Sequence, residues 1–232
     1  MTLELIRENE RKSHLAAYSN DTLYQDGSWL GKPIKTVTNL FSYFEAYAEL
    51  RVLDLGCGVG RNCISIAQQF RAVPCVVDCV DILDFAIEKL QESAKVYGVS
   101  ESIHGIVSPI EDFPIPRDHY DWILVVSALE HIDSEASFLD KLAEIRNGIR
   151  EKGIVCLVIN SDVQEFDKVT GEPLPAQFEV NLPTEKLQSL LAQVFAGWEV
   201  LKTTVRQQQY DIPRENGTSD LRTNVVTFVA RK

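Results

Sequence analysis

Val52-Leu53-Asp54-Leu55-Gly56-Cys57-Gly58-Val59-Gly60-Arg61-Asn62 decides how this chain is read. Val52, Leu53 and Leu55 suit a strand buried on both faces. Three glycines at alternate positions then end it, and residues 62–70 read as a helix with Ile64, Ile66, Ala67 and Phe70 inward. In a strand, glycine turn and helix the backbone comes close to a ligand, because glycine has no side chain in the way.

Asp54 narrows the ligand. A pyrophosphate at the turn would be repelled by a carboxylate two residues before the first glycine, whereas a cationic amine would be attracted. A carboxylate on the same ligand would find the free N–H groups of the helix start. Val76-Val77-Asp78-Cys79-Val80-Asp81 reads as the next strand. Asp81 ends it about 20 residues after the turn, the spacing at which an acid reaches ribose hydroxyls in a nucleotide-binding βαβ unit.

Outward from this unit the chain alternates. Residues 84–97 form an expected helix ended by Gly98, 103–107 and 122–127 expected strands, 134–150 a helix capped by Ser134, and 154–159 another strand. Such a pattern predicts a parallel sheet with helices on both faces. Earlier in the chain, residues 2–17 read as a charged amphipathic helix and 33–50 as an aromatic-rich helix. Between them, residues 18–33 are irregular, with Asn20-Asp21 and Asp26-Gly27 as breakers. Their Tyr18, Tyr24 and Trp29 suit either a lid or a pin holding the N-terminal helix to the core. Residues 162–180 lack periodicity, and 183–195 form a helix. The β-rich segments 198–206 and 224–230, joined by a polar turn at Arg214-Glu215-Asn216-Gly217, read as a closing antiparallel hairpin. Without repeat or linker, residues 1–232 form one domain with 1–48 as a helical cap.

The chain has 232 residues, of which 45% are hydrophobic and 25% charged. Twenty-three Lys+Arg against 34 Asp+Glu give a net charge of −11, which opposes unspecific binding to nucleic acid or anionic membrane. The cysteines at 57, 63, 75, 79 and 156 make no CxxC pair and read as reduced packing residues of a cytoplasmic protein. The four histidines lack metal-ligand spacing, so no metal is expected. No apolar run is long enough for a membrane span.

Asp54-Leu55-Gly56-Cys57-Gly58-Val59-Gly60 with Val80-Asp81-Ile82 resembles the first two motifs of the class I S-adenosylmethionine (SAM)-dependent methyltransferases. Arg61-Asn62 after the turn, together with the stretch from Leu174-Pro175 through Trp198-Glu199 to Phe228-Val229-Ala230-Arg231-Lys232, is similar to the tellurite-resistance (TehB-like) family. That resemblance spans about residues 30–232. It implies an α/β fold: a Rossmann-like doubly wound sheet, mostly parallel with an antiparallel C-terminal hairpin. It also implies a methyl donor, SAM, leaving as S-adenosylhomocysteine, and a small-molecule acceptor with a soft nucleophilic atom, such as a thiol or chalcogen oxyanion. Carried onto this sequence, the cofactor residues are Asp54, Gly56, Cys57, Gly58, Gly60, Asp81, Ile82, Ile110, Glu111 and Ser127. Ser108-Pro109 stands where relatives carry an aspartate, so Glu111 or Asp112 is the substitute for the adenine contact.

Ser127-Ala128-Leu129-Glu130-His131 resembles the methyltransferase segment after the fourth strand. His131 is the candidate acid/base, with loop positioning as its other role. The acceptor is expected between residues 18–33, 127–131 and 162–180. Tyr24, Trp29 and Arg206 are candidate contacts, and Arg214 and Arg222 further cations. Neither nucleic acid nor membrane is an expected partner, and the chain is expected to be a monomer or homodimer. Three alternatives remain: another small metabolite, RNA or protein as acceptor, a non-catalytic SAM-binding protein, and an NAD-dependent dehydrogenase. The last would need GxGxxG and no acid at position 54.

Overall fold

A computed structural model describes residues 3–20, 22–214 and 217–232. In chain order the elements are α1 (Leu3–Asn20), α2 (Lys35–Thr38), β1 (Leu50–Leu55), α3 (Cys63–Gln69), β2 (Cys75–Asp81), α4 (Asp84–Val96), β3 (Ile103–Val107), β4 (Tyr120–Val126), α5 (Glu135–Gly148), β5 (Ile149–Asp167), β6 (Pro173–Leu174), α6 (Thr184–Val194), β7 (Glu199–Arg214) and β8 (Gly217–Arg231). The strands form one sheet in the order β3-β2-β1-β4-β5-β8-β7, with β6 on the far part of β5. β3, β2, β1, β4 and β5 are parallel, and β8 and β7 turn antiparallel. The strand order reverses between β1 and β4, which puts the switch point beside the glycine turn.

Each face of the sheet buries its own core. On one face α3 and α4 pack Ile64, Ile66, Ala86 and Leu90 over Val52, Val77 and Trp122, and Phe44 stacks on Trp122 at 5.0 Å. On the other, α5 and α6 pack Phe138, Leu142, Leu187 and Leu191 over Leu53, Ile123, Val155 and Leu157. Neighbouring positions of one strand thus serve opposite cores, as the alternation of strand side chains requires. Ser134 caps α5 by accepting from Ser137 N at 3.1 Å.

Three expectations change. The helix over 33–50 shortens to α2 and a single 3-10 turn at Phe41–Tyr43, because Thr36, Val37, Thr38 and Asn39 are poor helix formers. The N-terminal helix runs on to Asn20 rather than ending at residue 17, while Thr2 and the breaker Asp21 lie outside the described residues. The C-terminal strands are much longer than expected. β5 pairs with β4 only as far as Val158, then continues to Asp167 against β8. At about 3.3 Å per residue, that continuation adds roughly 30 Å of strand past the last pairing with β4. β7 and β8 rise with it, so the expected short hairpin is a tall ribbon. Of the turn that joins them, Glu215 and Asn216 lie outside the described residues.

Candidate cofactor and acceptor site

The glycine turn leaves β1 at the sheet's carboxyl edge. Gly56 N and Cys57 N both donate to Val80 O, at 2.8 and 3.0 Å, which ties the turn to the end of β2. Gly56 adopts φ +75 and Gly58 φ +52, a region that side chains disfavour. A Cβ on Gly56 would run into the methyl of Ala128, so the turn and the loop after β4 touch only because residue 56 is glycine. Gly60 N donates to Cys57 O at 3.1 Å and closes the turn. Cys57 is buried at its centre, and burial pushes its thiol pKa well up.

Two acids stand at this edge. Asp54 is 1% exposed, and its Oδ2 has no hydrogen-bond partner among the described residues. Burial, reinforced by Asp81, pushes its pKa up to about 7. Asp81 accepts from Gly58 N at 2.8 Å through Oδ2 and from Leu83 N at 2.9 Å through Oδ1. Burial raises its pKa while those two N–H groups work against the rise. Each Asp81 oxygen accepts one of these hydrogen bonds and so keeps further acceptor capacity. Beside it Ile82, just past the end of β2, is 42% exposed. Across the crevice Ile110 is buried and lies within reach of Gly56.

The loop after β4 begins at Ser127, exposed and at φ +50, with its N–H on Val158 O at 2.7 Å. Strain of this kind in a residue other than glycine is a mark of functional loops. Glu130 is fully buried. Its Oε1 accepts from Asn160 N at 3.0 Å and from Asn160 Nδ2, its Oε2 has no partner among the described residues, and burial raises its pKa. His131 donates from Nδ1 to Glu179 Oε2 at 3.0 Å, and its ring lies 4.8 Å from that of Phe178.

The candidate acceptor contacts fall on several layers. Trp29 is 47% exposed and lies between Tyr18, stacked at 5.8 Å, and the Arg61 guanidinium at 5.9 Å. Tyr24 is more deeply set. Its hydroxyl donates to Arg61 O at 2.9 Å and its ring packs edge-on against Tyr97. Arg61 Nε donates to Lys32 O at 2.7 Å, and Asn62 Oδ1 accepts from Ile34 N at 3.2 Å, so the Arg-Asn pair clamps the N-terminal loop. On the ribbon, Arg214 is committed to Glu165 through two hydrogen bonds of 2.6 and 2.8 Å. Arg222 pairs with Asp220 at 2.7 Å. Arg206 is exposed and makes no ion pair among the described residues.

Several site groups carried no expectation from sequence: Arg7, Asp84, Glu130 and Glu179. Arg7 Nη2 donates to Glu111 Oε1, so the acid expected at the adenine loop is held by α1. The regular spacing of Arg7, Arg11, His14 and Tyr18 was a readable signal for the first. Nothing around Glu179 marks it in one dimension.

Residues 52–153 match the family described as a methyltransferase domain. Norajmaline N-methyltransferase of Rauvolfia serpentina is 24% identical over 96 residues, 40% of this chain and 31% of that protein. The uncharacterized methyltransferase YcgJ of Bacillus subtilis is 28% identical over 136 residues, 58% of this chain and 44% of that protein. The chain therefore spans less than half the length of these curated relatives. Among solved structures, TehB from Haemophilus influenzae superposes with a TM-score of 0.62 at 19% identity, covering 84% of this chain and 62% of that one. YcgJ superposes at 0.59 and 15%, covering 85% and 97%.

Residues 52–153 thus resemble a methyltransferase domain, and the chain shares the fold of solved SAM-dependent methyltransferases. Within that class the chain is similar to TehB-like proteins, a likeness of fold at this identity. The residues fit the cofactor. The orphaned Asp54 oxygen can take a cationic amine, Asp81 retains acceptor capacity for ribose hydroxyls, and Ile82 offers an apolar face to a purine. Among the described residues, no helix is long and apolar enough to cross a membrane.

Proposed function

We propose that the protein transfers the methyl group of SAM to a small molecule bearing a soft nucleophilic atom, a thiol or a chalcogen oxyanion. The observation that carries the cofactor half is Asp54, a buried carboxylate with an unpartnered oxygen at the glycine turn. Cys63 serves this carboxylate through its backbone and side chain, yet a buried carboxylate oxygen left without a partner is costly, and a bound amine is the partner that Oδ2 lacks. When bound, SAM supplies a methyl group on a sulfonium centre. The chain's task is then to hold an acceptor in line with it and exclude water, an orientation effect of up to roughly 7–11 kcal/mol.

In this reading Gly56, Cys57, Gly58 and Gly60 present backbone to the cofactor, Asp81 takes ribose hydroxyls, Ile82 and Ile110 sandwich the adenine, and the Glu111 backbone reads its edge. Ser127 borders the methionine part. The acceptor enters beside Trp29, with Tyr24 contributing through Arg61, whose carbonyl it holds. Arg206 is the cation for an anionic acceptor, because Arg214 and Arg222 are already paired. His131 is oriented by Glu179, an arrangement suited to loop positioning and available for acid/base work. The net charge of −11 supports a small-molecule partner over nucleic acid or an anionic membrane. Five buried free cysteines support a reducing, cytoplasmic setting. We read the assembly as a monomer or homodimer, with residues 1–48 as a cap on one domain.

Calorimetric titration with SAM, followed by a transfer assay over thiols, selenite, tellurite and amines, tests this. The expected result is micromolar binding, weakened by about 1–3 kcal/mol in Asp81→Ala, and acceptor-dependent release of S-adenosylhomocysteine from one soft nucleophile. Binding without release to any acceptor would make the chain a SAM-binding protein. Transfer to amines alone would move the acceptor class.

A further inference from the structure

α1 meets the loops at the sheet's carboxyl edge through polar and aromatic side chains. Arg7, Arg11, His14 and Tyr18 recur at intervals of four, three and four, which places them in one stripe. A covering helix ordinarily turns its leucines toward the protein. Here Ile6 is buried but Leu5 and Leu15 are 45% and 47% exposed, and the polar and aromatic stripe makes ion pairs and ring contacts with the rest of the chain.

That stripe touches one cofactor loop after another. Arg7 reaches Glu111 after β3 and lies 3.8 Å from Glu179 Oε1 in the insertion before α6. Arg11 Nη2 donates to Asp84 Oδ1 at 2.8 Å, three residues beyond Asp81, and its guanidinium lies 5.5 Å from the Phe85 ring. The Tyr18 hydroxyl stands 2.7 Å from where a Cβ on Gly58 would be, and its ring is 6.0 Å from that of Phe85. His14 lies 5.3 Å from the Tyr18 ring. Burial pushes its pKa down to about 4, so at neutral pH it adds no positive charge to the stripe. Glu179, 1% exposed at its side chain, is shared between Arg7 and His131 and joins α1 to the loop after β4.

We propose that α1 is a wall of the ligand site: it closes over the bound cofactor from outside the sheet edge, with Tyr18 facing the cofactor and Arg7 latching the helix to Glu111 and Glu179. This rests on the cofactor reading above. The latch strength is uneven. Arg11 and Asp84 are both about half exposed or more, so their pair counts for little. Arg7 meets two acids that are largely buried and should dominate.

The test is the dissociation rate of S-adenosylhomocysteine from the full chain, followed by stopped-flow fluorescence. Arg7→Ala should raise it at least tenfold, Tyr18→Ala by a similar factor, and Arg11→Ala about twofold. Glu179→Gln should give part of the Arg7 effect and add little on top of Arg7→Ala. Arg7→Lys, which keeps the charge, should fall between wild type and alanine and serves if the alanine variant does not fold. Unchanged dissociation across the series would make α1 a packing element and overturn the proposal. Faster association with tighter binding in the variants would also overturn it, since α1 would then compete with the cofactor. A wild-type chain that binds no S-adenosylhomocysteine would sink the cofactor reading itself, and this proposal with it.

Discussion

The parallel half of the sheet and the ribbon that rises from it rest on different physics. Between β3 and β5 the strands are buried on both faces, and Leu53, Leu55, Ile123, Leu124 and Leu157 are wholly removed from water. Apolar burial at about 25 cal/mol per Å² carries that region. Above the carboxyl edge, β7 is exposed along nearly its whole length, and polar bonds take over. Glu165, buried on β5, accepts from Arg214 and from Ser219 Oγ, while Arg214 also donates to Gln177 Oε1 at 3.0 Å. Asp162, at φ +48, bends β5 where its pairing with β8 slips between Ser161 and Gln164. The lesson is a division of labour. The hydrophobic half places the glycine turn rigidly, and the polar ribbon shapes the space above it.

The largest expected effect breaks the first region's function and spares its fold. Gly58→Val would place a side chain at φ +52, facing Tyr18 and the cofactor crevice. Strain costs about 1–2 kcal/mol, which a core this size tolerates. Loss of the close backbone approach should cost more than a hundredfold in SAM affinity by calorimetry, with circular dichroism unchanged. Retained affinity would make the turn structural only. The ribbon should respond in the opposite sense. Glu165→Ala leaves Arg214 partly buried without its carboxylate, which costs about 2 kcal/mol after allowing for the guanidinium's partial exposure. The melting temperature should fall by about 4–8 °C for a chain of this length, while SAM affinity stays within twofold. A parallel loss of affinity would show that the ribbon also orders the cofactor site.

The division of labour also explains what the sequence could reveal. β1, the glycine turn, β2, α4 and β4 were readable because burial on both faces leaves continuous apolar runs, and because Gly56, Asp54 and Asp81 sit at fixed offsets from strand ends. The ribbon was not. Gln207, Gln208, Gln209 and Asp211 carry no strand signal, since strand alternation appears only where one face is buried. Residues 160–167 and 217–224 are held by pairing with each other, which is a property of distant partners. Glu179 and Glu130 belong to the same class: each meets its partner across 30 residues or more. Arg7, Arg11, His14 and Tyr18 shared a visible spacing, but the site they face is assembled only in three dimensions.

A middle-sized effect separates the two buried acids of the turn. Asp54, with its pKa near 7 in the ligand-free chain, binds a proton there that the unfolded chain releases at about 4. That proton's contribution to stability is therefore full below about pH 4 and is lost as the pH rises toward 7. A cationic amine prefers the ionised carboxylate, so affinity should move the other way. The dissociation constant for SAM should be about tenfold weaker at pH 6 than at pH 8. Asp54→Asn should flatten that dependence while Asp81→Ala keeps it. A flat profile in the wild type would remove Asp54 from amine recognition.

The smallest effect tests whether the ribbon serves the acceptor at all. Arg206 is on the exposed edge strand β7, opposite Val225, and on the same strand face as Tyr210. Burial raises the Tyr210 hydroxyl pKa while the charge of Arg61 works against the rise, so this strand face is the one to test. An exposed guanidinium interacts with an anion through water and loses strength to screening, so its contribution is modest. Arg206→Ala should raise the Michaelis constant for an oxyanion about three- to tenfold, more at low salt than at high, and leave the SAM dissociation constant unchanged. Transfer to a neutral thiol should not respond. Equal effects on both acceptor classes would mean that the substitution disturbs β7 rather than removing an anion contact. No effect on either would place the acceptor's charge elsewhere, with Arg61, clamped under Trp29, as the next cation to replace.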